Sequence, residues 1–79
     1  MWWFLQKETD NTEEVVYTYG FESKEQTGKI KFNRKSEDFE IIQIAENDSV
    51  ILIEKFLLRH LFRLISIENA PSEKQIAIA

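Results

Sequence analysis

The two side chains best suited to acid–base chemistry lie on one apolar stretch, SVILIEKFLLRHLFRLISIE, residues 49–68. His60 is the only histidine of the chain, and Glu54 precedes it by six residues. A carboxylate and an imidazole that meet in a cleft can act as general base and acid. On a helix, at about 100° per residue, this spacing places them on different faces. We therefore rank a small enzyme using Glu54 and His60 last among the candidate functions.

Structural roles are the simpler prediction for both residues. The chain has no cysteine and no second histidine, so His60 lacks partners for a conventional zinc site, and we predict neither a metal nor a cofactor. Glu54 is predicted to lie inside an apolar arc, where burial disfavours a charged carboxylate. We expect Glu54 to accept a hydrogen bond from Tyr17, from Tyr19 or from His60 of a second copy.

Three cations, Lys55, Arg59 and Arg63, recur at intervals of four residues on the same stretch. This spacing puts them on one face of a helix, where like charges repel weakly. A solvated face is the ordinary interpretation. The alternative is a docking strip for an acidic partner or a phosphate backbone.

The stretch itself is predicted to be one long helix. It contains neither Gly nor Pro and is rich in Leu, Glu, Lys and Arg, which lose little rotamer freedom in a helix. Asn47, Asp48 and Ser49 precede it as alternative N-caps. Asn69 and Pro71 follow it as stop signals.

The helix carries more apolar surface than a single sheet requires. One stripe is predicted to face a sheet: Val50, Ile53, Leu57, Leu61 and Leu64. A second stripe lies beside it: Ile51, Leu58, Phe62 and Ile65. With its flanks, the apolar arc spans roughly 240°, against the slightly more than 100° that one covering surface needs. We predict self-association through the second stripe, with a two-fold dimer as the default; the alternative is a monomer whose sheet curls around the helix.

Length and composition are consistent with one small domain, residues 1–79. A chain of this size forms a marginal core, and without cysteines oligomerisation is the remaining way to stabilise it. Fourteen acidic and ten basic residues give a net charge of −4, which argues against general nucleic-acid binding. The start, MWWFLQKE, lacks the basic region of a signal peptide, and no uncharged apolar run approaches a membrane span. We expect a cytoplasmic protein without a membrane partner.

Four strands are predicted before the helix, at residues 2–8, 14–22, 29–34 and 39–45, and a short one could follow at 74–79. The fold class is therefore α+β: an antiparallel meander of about four strands with one long C-terminal helix packed across it. In the second strand Val15, Tyr17, Tyr19 and Phe21 share one face, which we expect to meet the helix. Gly28, in the hairpin loop, is expected to take a left-handed conformation.

The fourth predicted strand is apolar on both faces, because Phe39 and Ile41 oppose Ile42 and Ile44. Such a strand is either central in the sheet or has an outer face that meets a partner.

The leading hypothesis for function is a non-enzymatic protein-binding or regulatory module that works as a homodimer, since the surplus is apolar surface and not reactive groups. The alternative is an inhibitor or immunity-type protein whose acidic strands cover a basic partner.

Overall fold

The computed structural model describes residues 1–78 as one antiparallel sheet with one helix packed against it. The strands are β1 (Trp2–Asp10), β2 (Glu14–Phe21), β3 (Gly28–Asn33), β4 (Asp38–Gln43) and β5 (Glu73–Ala77). Their order in the sheet is β4-β3-β2-β1-β5. The predicted α+β fold is confirmed. The sheet has five strands because the segment after the helix returns to pair with β1, so the helix is not the last element.

The helix α1 covers residues 50–66 and begins and ends at polar signals. Ser49 is the N-cap, and its Oγ accepts the Leu52 N–H at 3.2 Å. At the other end Asn69 has a φ of 60°, and the Ala70 N–H donates to the Leu64 carbonyl at 3.0 Å. Within the described residues, α1 is neither long nor apolar enough to cross a membrane.

The middle of α1 is a π-helical segment, Ile53–Leu57, in which the Leu58 N–H donates to the carbonyl of Ile53. An i→i+5 turn holds more residues than an α-turn. Residues before it are therefore rotated relative to a regular helix. Val50 is 42 % exposed, so its prediction as a member of the sheet-facing stripe is wrong. We attribute the difference to this rotation.

The core lies between α1 and one face of the sheet. The helix contributes Ile53, Leu57, Leu61 and Leu64, each at most 1 % exposed, as predicted. The sheet contributes side chains from its three central strands, which are Trp3, Leu5, Val15, Tyr17, Tyr19, Ile30 and Phe32. Phe21, at the end of the predicted face, is half-buried with its ring 5.4 Å from that of Trp3.

Both tyrosine hydroxyls bind the main chain at the two ends of α1. The Tyr17 hydroxyl donates to the carbonyl of Pro71 at 2.5 Å, and the Tyr19 hydroxyl accepts the N–H of Ala45 at 3.0 Å. These bonds attach the connections before and after the helix to β2. The expected bond from either tyrosine to Glu54 is therefore absent from the described residues.

The tyrosine environments predict a loss of stability at alkaline pH. Burial raises the pKa of Tyr17 to about 12 and that of Tyr19 to about 12, from an ordinary 10.0. The unfolded chain releases both protons near pH 10 while the folded chain retains them, so stability present below pH 10 is lost as the pH rises toward 12. The expected loss is on the order of 2 to 3 kcal/mol for each tyrosine.

Absorbance of tyrosinate measures this directly, because the chain has only two tyrosines. We expect one steep titration that coincides with loss of circular dichroism, whereas the urea-unfolded chain titrates near the ordinary value. Titration near pH 10 in a chain that stays folded would contradict the burial of both rings.

A polar cluster fixes the far end of β1. Arg34 Nη2 lies 2.6 Å and Lys7 Nζ 3.0 Å from the Asp10 carboxylate. The hydrogen bonds from Arg34 and then Lys7 lower the pKa of Asp10. Lys7 also donates to the Ala70 carbonyl at 2.8 Å. The cluster therefore joins two strand ends to the connection after the helix.

Gly28 does not have the predicted left-handed conformation, since no glycine has a positive φ. It is instead the buried first residue of β3. A Cβ at this position would lie 2.3 Å from Cε1 of Tyr19 and 2.8 Å from the Ala45 nitrogen. Glycine is therefore required at this position because any side chain would collide with Tyr19 and Ala45. The left-handed residue of this connection is Glu22, with a φ of 51°.

Candidate functional site

The most distinctive feature of the described chain is a set of exposed apolar side chains from the end of β4, the residues that follow it and one face of α1. We call it the β4 apolar surface and define it as Ile42, Ile44, Val50, Ile51 and Phe62, which are between 38 % and 66 % exposed. Single exposed apolar residues are ordinary, but a cluster of them indicates an interaction site.

Aromatic contacts show which side of the sheet Phe62 faces. Its ring packs edge-on against Phe32 of β3 at 6.0 Å, and Phe32 lies 4.9 Å from Phe39 of β4. Phe62 therefore points toward the β3–β4 side and away from β5.

A tight turn connects the two segments that carry the other four residues. The Asp48 N–H donates to the carbonyl of Ala45 at 3.0 Å, and Ala45 is only 2 % exposed. Ile42 and Ile44 precede this turn, and Val50 and Ile51 follow it at the start of α1. Strand edge and helix start thus present aliphatic side chains on both sides of the same turn.

The four residues of the second stripe do not all lie on the surface. Ile51 is 66 % and Phe62 38 % exposed, and Leu58 is half-buried. Ile65 is only 4 % exposed; its assignment to the exposed stripe is corrected, and it belongs to the core. Four residues after Leu61, it lies only about 40° around the helix from that buried position.

Glu54 and His60 do not form a site. Glu54 lies in the π-helical segment and is exposed to solvent, so its predicted place inside an apolar arc is wrong. His60 is half-buried at the flank of the core. Among the hydrogen bonds of residues 1–78, none joins these two side chains.

The three cations of the predicted docking strip, Lys55, Arg59 and Arg63, are all exposed. Arg59 Nη2 donates to the Lys55 carbonyl at 3.2 Å, and none of the three makes an ion pair within the described chain. The arrangement is that of a solvated helix face, and an acidic partner for it stays a prediction.

An acidic groove of about 470 Å³ lies elsewhere on the surface, lined by Phe21, Glu22, Ser23, Glu25, Thr27, Glu46 and Asn47. Thr27 Oγ1 accepts the Glu46 N–H at 2.8 Å and holds its two walls together. Sequence reasoning did not find it, because the walls come from loops about twenty residues apart. The part of the chain that the structure describes has no group of three side chains placed to hold a metal ion.

The rest of the described surface carries ion pairs and polar side chains, with Met1 and Ile67 as exposed apolar residues among them. On the sheet face opposite α1, Lys29 pairs with Glu8 at 3.1 Å and Lys31 with Glu40 at 3.5 Å. The other edge strand, β5, exposes Glu73, Gln75 and Ala77. Of the seven large apolar side chains that are exposed in the described residues, five belong to the β4 apolar surface, and Met1 and Ile67 lie outside it.

The chain matches no protein family, no curated protein and no solved structure.

Proposed function

We propose that this chain is a non-enzymatic protein-binding or regulatory module that works as a homodimer through the β4 apolar surface. The observation that supports it is that five of the seven large apolar side chains exposed in the described residues belong to this surface, while β5 exposes Glu73 and Gln75. The groups that could do chemistry, Glu54 and His60, do not come together, and this favours binding over catalysis.

The size of the molecule is compatible with such a dimer. A stable protein interface covers about 800 Å² on each partner. That is about a sixth of the 4880 Å² accessible surface of this chain. The β4 apolar surface would supply the apolar centre of a patch of that size, and the surrounding polar side chains its rim.

Replacing Ile51 with glutamate is expected to convert the dimer to a monomer. Ile51 is the most exposed member of the β4 apolar surface, at 66 %, so the fold should tolerate a carboxylate there. In the dimer the same carboxylate would be buried without a partner, which is strongly unfavourable. Light scattering during gel filtration measures the change in mass, and Phe62→Glu should act in the same direction.

Ile67→Glu is the matched control. Ile67 is 69 % exposed and follows α1 on the helix side away from Phe62. It receives the same substitution outside the β4 apolar surface, so this variant should remain dimeric. If Ile51→Glu and Ile67→Glu change the mass in solution equally, the β4 apolar surface is not the dimer interface.

The second candidate is an inhibitor or immunity-type protein that covers a basic partner. It is supported by the carboxylates of Glu22, Glu25 and Glu46 around the acidic groove. Binding to a basic protein that weakens as salt is added would favour it. It ranks below the dimer because it leaves the β4 apolar surface without a role.

A further inference from the structure

We propose that β5 is an exchangeable strand: when two copies fold together in concentrated solution, β5 of each copy pairs with β1 of the other. The hinge of this exchange is the connection between α1 and β5, residues 67–72. β5 lies at the opposite edge of the sheet from β4. The exchange therefore goes beyond the proposed function, because it uses none of the residues of the β4 apolar surface.

Two consecutive residues of the hinge have a left-handed backbone. The φ of Asn69 is 60° and that of Ala70 is 49°. Asparagine tolerates this conformation, whereas the Cβ of alanine comes too close to the following carbonyl oxygen. Pro71 adds a second constraint, since the residue before a proline favours an extended backbone with a negative φ. Ala70 therefore has a conformation that both its own type and its neighbour disfavour.

Tertiary contacts hold this strained hinge in place. The Ala70 N–H donates to the Leu64 carbonyl at 3.0 Å, and Lys7 Nζ donates to the Ala70 carbonyl at 2.8 Å. The side chain of Ala70 is 0 % exposed. A disfavoured backbone persists only where its surroundings fix it. Once β5 detaches, Asn69 and Ala70 are free to become extended, and a short strained hinge of this kind promotes exchange between copies.

β5 is an element that can be separated from the rest of the sheet. Among residues 1–78 it pairs only with β1. Of its five residues only Ile76 is buried, at 7 % exposed. Exchange restores the same pairing and the same burial of Ile76 with a strand from the second copy. The closed and the exchanged forms therefore differ mainly in the backbone of the hinge and in the association of two chains.

Protein concentration during folding decides between the two forms. In dilute solution β5 returns to its own β1, because a tethered strand has a high effective concentration there. In concentrated solution β5 of another copy competes for the same edge. Since β5 must detach before it can be exchanged, we expect the exchanged dimer to form during refolding and to persist when the solution is then diluted.

A disulfide between β1 and β5 records which chain supplies β5. Gln6 and Glu73 are register partners on the two strands, and both are exposed. The Lys7 N–H donates to the Ser72 carbonyl at 2.8 Å, so the adjacent pair Gln6–Glu73 is a non-hydrogen-bonded pair, whose side chains are close. Cysteines at these two positions can therefore form a disulfide, and the natural chain has no cysteine to compete.

The variant Gln6→Cys/Glu73→Cys is refolded from urea in dilute and in concentrated solution and is then oxidised with glutathione disulfide. On a denaturing, non-reducing gel we expect only a 9.4 kDa species after dilute refolding, and a species of twice 9.4 kDa after concentrated refolding. Chains with Gln6→Cys refolded together with chains with Glu73→Cys should also give the larger species. The matched control is the same two variants folded separately and mixed afterwards, which should remain uncrosslinked.

Variants at Asn69, which is exposed, test the hinge in the same cysteine background. Valine strongly disfavours a left-handed backbone, so Asn69→Val should increase the two-chain fraction. Glycine adopts that backbone freely, so Asn69→Gly should decrease it. The expected difference between the two variants is about tenfold for each hinge. Equal two-chain fractions would show that the strained hinge does not drive the exchange.

The outcomes separate the exchange from the homodimer of the proposed function. A disulfide that stays within one chain at every refolding concentration overturns the exchange and leaves the homodimer standing, because that dimer keeps β5 on its own chain. Ile51→Glu gives a measurement without cysteines, since it removes association through the β4 apolar surface. Refolded in concentrated solution and then diluted, this variant should retain a mass of twice 9.4 kDa, and a mass of 9.4 kDa would overturn the exchange.

Discussion

Replacing Leu57 with alanine is expected to lower the free energy of unfolding by about 3 to 4 kcal/mol. Leu57 ends the π-helical segment and is 0 % exposed, between Ile53 and Leu61 on the buried side of α1. Removing its branched end leaves a cavity that the surrounding strands cannot close. A domain of this length has only about 4 to 12 kcal/mol of stability in total, so the variant should be partly unfolded at moderate urea concentrations.

Ile67→Ala is the control for this variant, because it removes a similar apolar side chain that is 69 % exposed. Its expected effect on the free energy of unfolding is below about 0.5 kcal/mol. Urea titrations at several protein concentrations separate these effects from any change in association. Equal losses in the free energy of unfolding for Leu57→Ala and Ile67→Ala would show that Leu57 does not lie on the buried side of α1.

Replacing Gly28 with alanine is expected to destabilise the fold by on the order of 3 kcal/mol. The added Cβ would lie 2.3 Å from Cε1 and 2.6 Å from Cζ of Tyr19. The ring cannot turn away freely, since Tyr19 is 0 % exposed and its hydroxyl holds the Ala45 N–H. The strain should therefore spread to the connection between β4 and α1.

Asparagine at the same position distinguishes the two explanations for this glycine. If Gly28 were needed for a left-handed backbone, Gly28→Asn would be tolerated better than Gly28→Ala. The lack of space beside Tyr19 predicts the reverse order, with the larger side chain more destabilising. Lys29→Ala, on the next residue of β3, serves as the control and should have a small effect. Chemical denaturation of the three variants decides between the explanations.

The periodicity of the sequence predicted the architecture well where local patterns repeat. Alternation in β2 correctly placed Val15, Tyr17 and Tyr19 on the face that meets the helix. The spacing of Ile53, Leu57 and Leu61 correctly identified the buried stripe, because residues three and four apart share one face of a helix. Both predictions depend only on geometry within a single element.

Predictions that depended on a uniform helix were less successful. No residue type marks the i→i+5 turn at Ile53–Leu57, so a regular helical wheel placed Val50 toward the sheet and Glu54 among apolar neighbours. Both are exposed. The burial of Ile65 was also missed, since it depends on how far the sheet extends beneath the last turn of α1.

The position of β4 shows why the interaction surface could be predicted only in part. A strand apolar on both faces was consistent with a central place in the sheet, and that alternative is wrong because β4 is an edge. The β-bulge at Ile42 breaks the alternation on which the prediction relied. Strand order is set by pairing between distant segments, which a local pattern does not contain. The remaining alternative, an outer face that meets a partner, is part of the proposed dimer.

The mass of the wild-type chain in solution is the most direct test of the proposed self-association. Sedimentation equilibrium over a wide range of concentrations should give a mass that rises from 9.4 kDa toward twice that value and then stays constant. A mass of 9.4 kDa at every concentration would contradict the proposal that the β4 apolar surface binds a second copy.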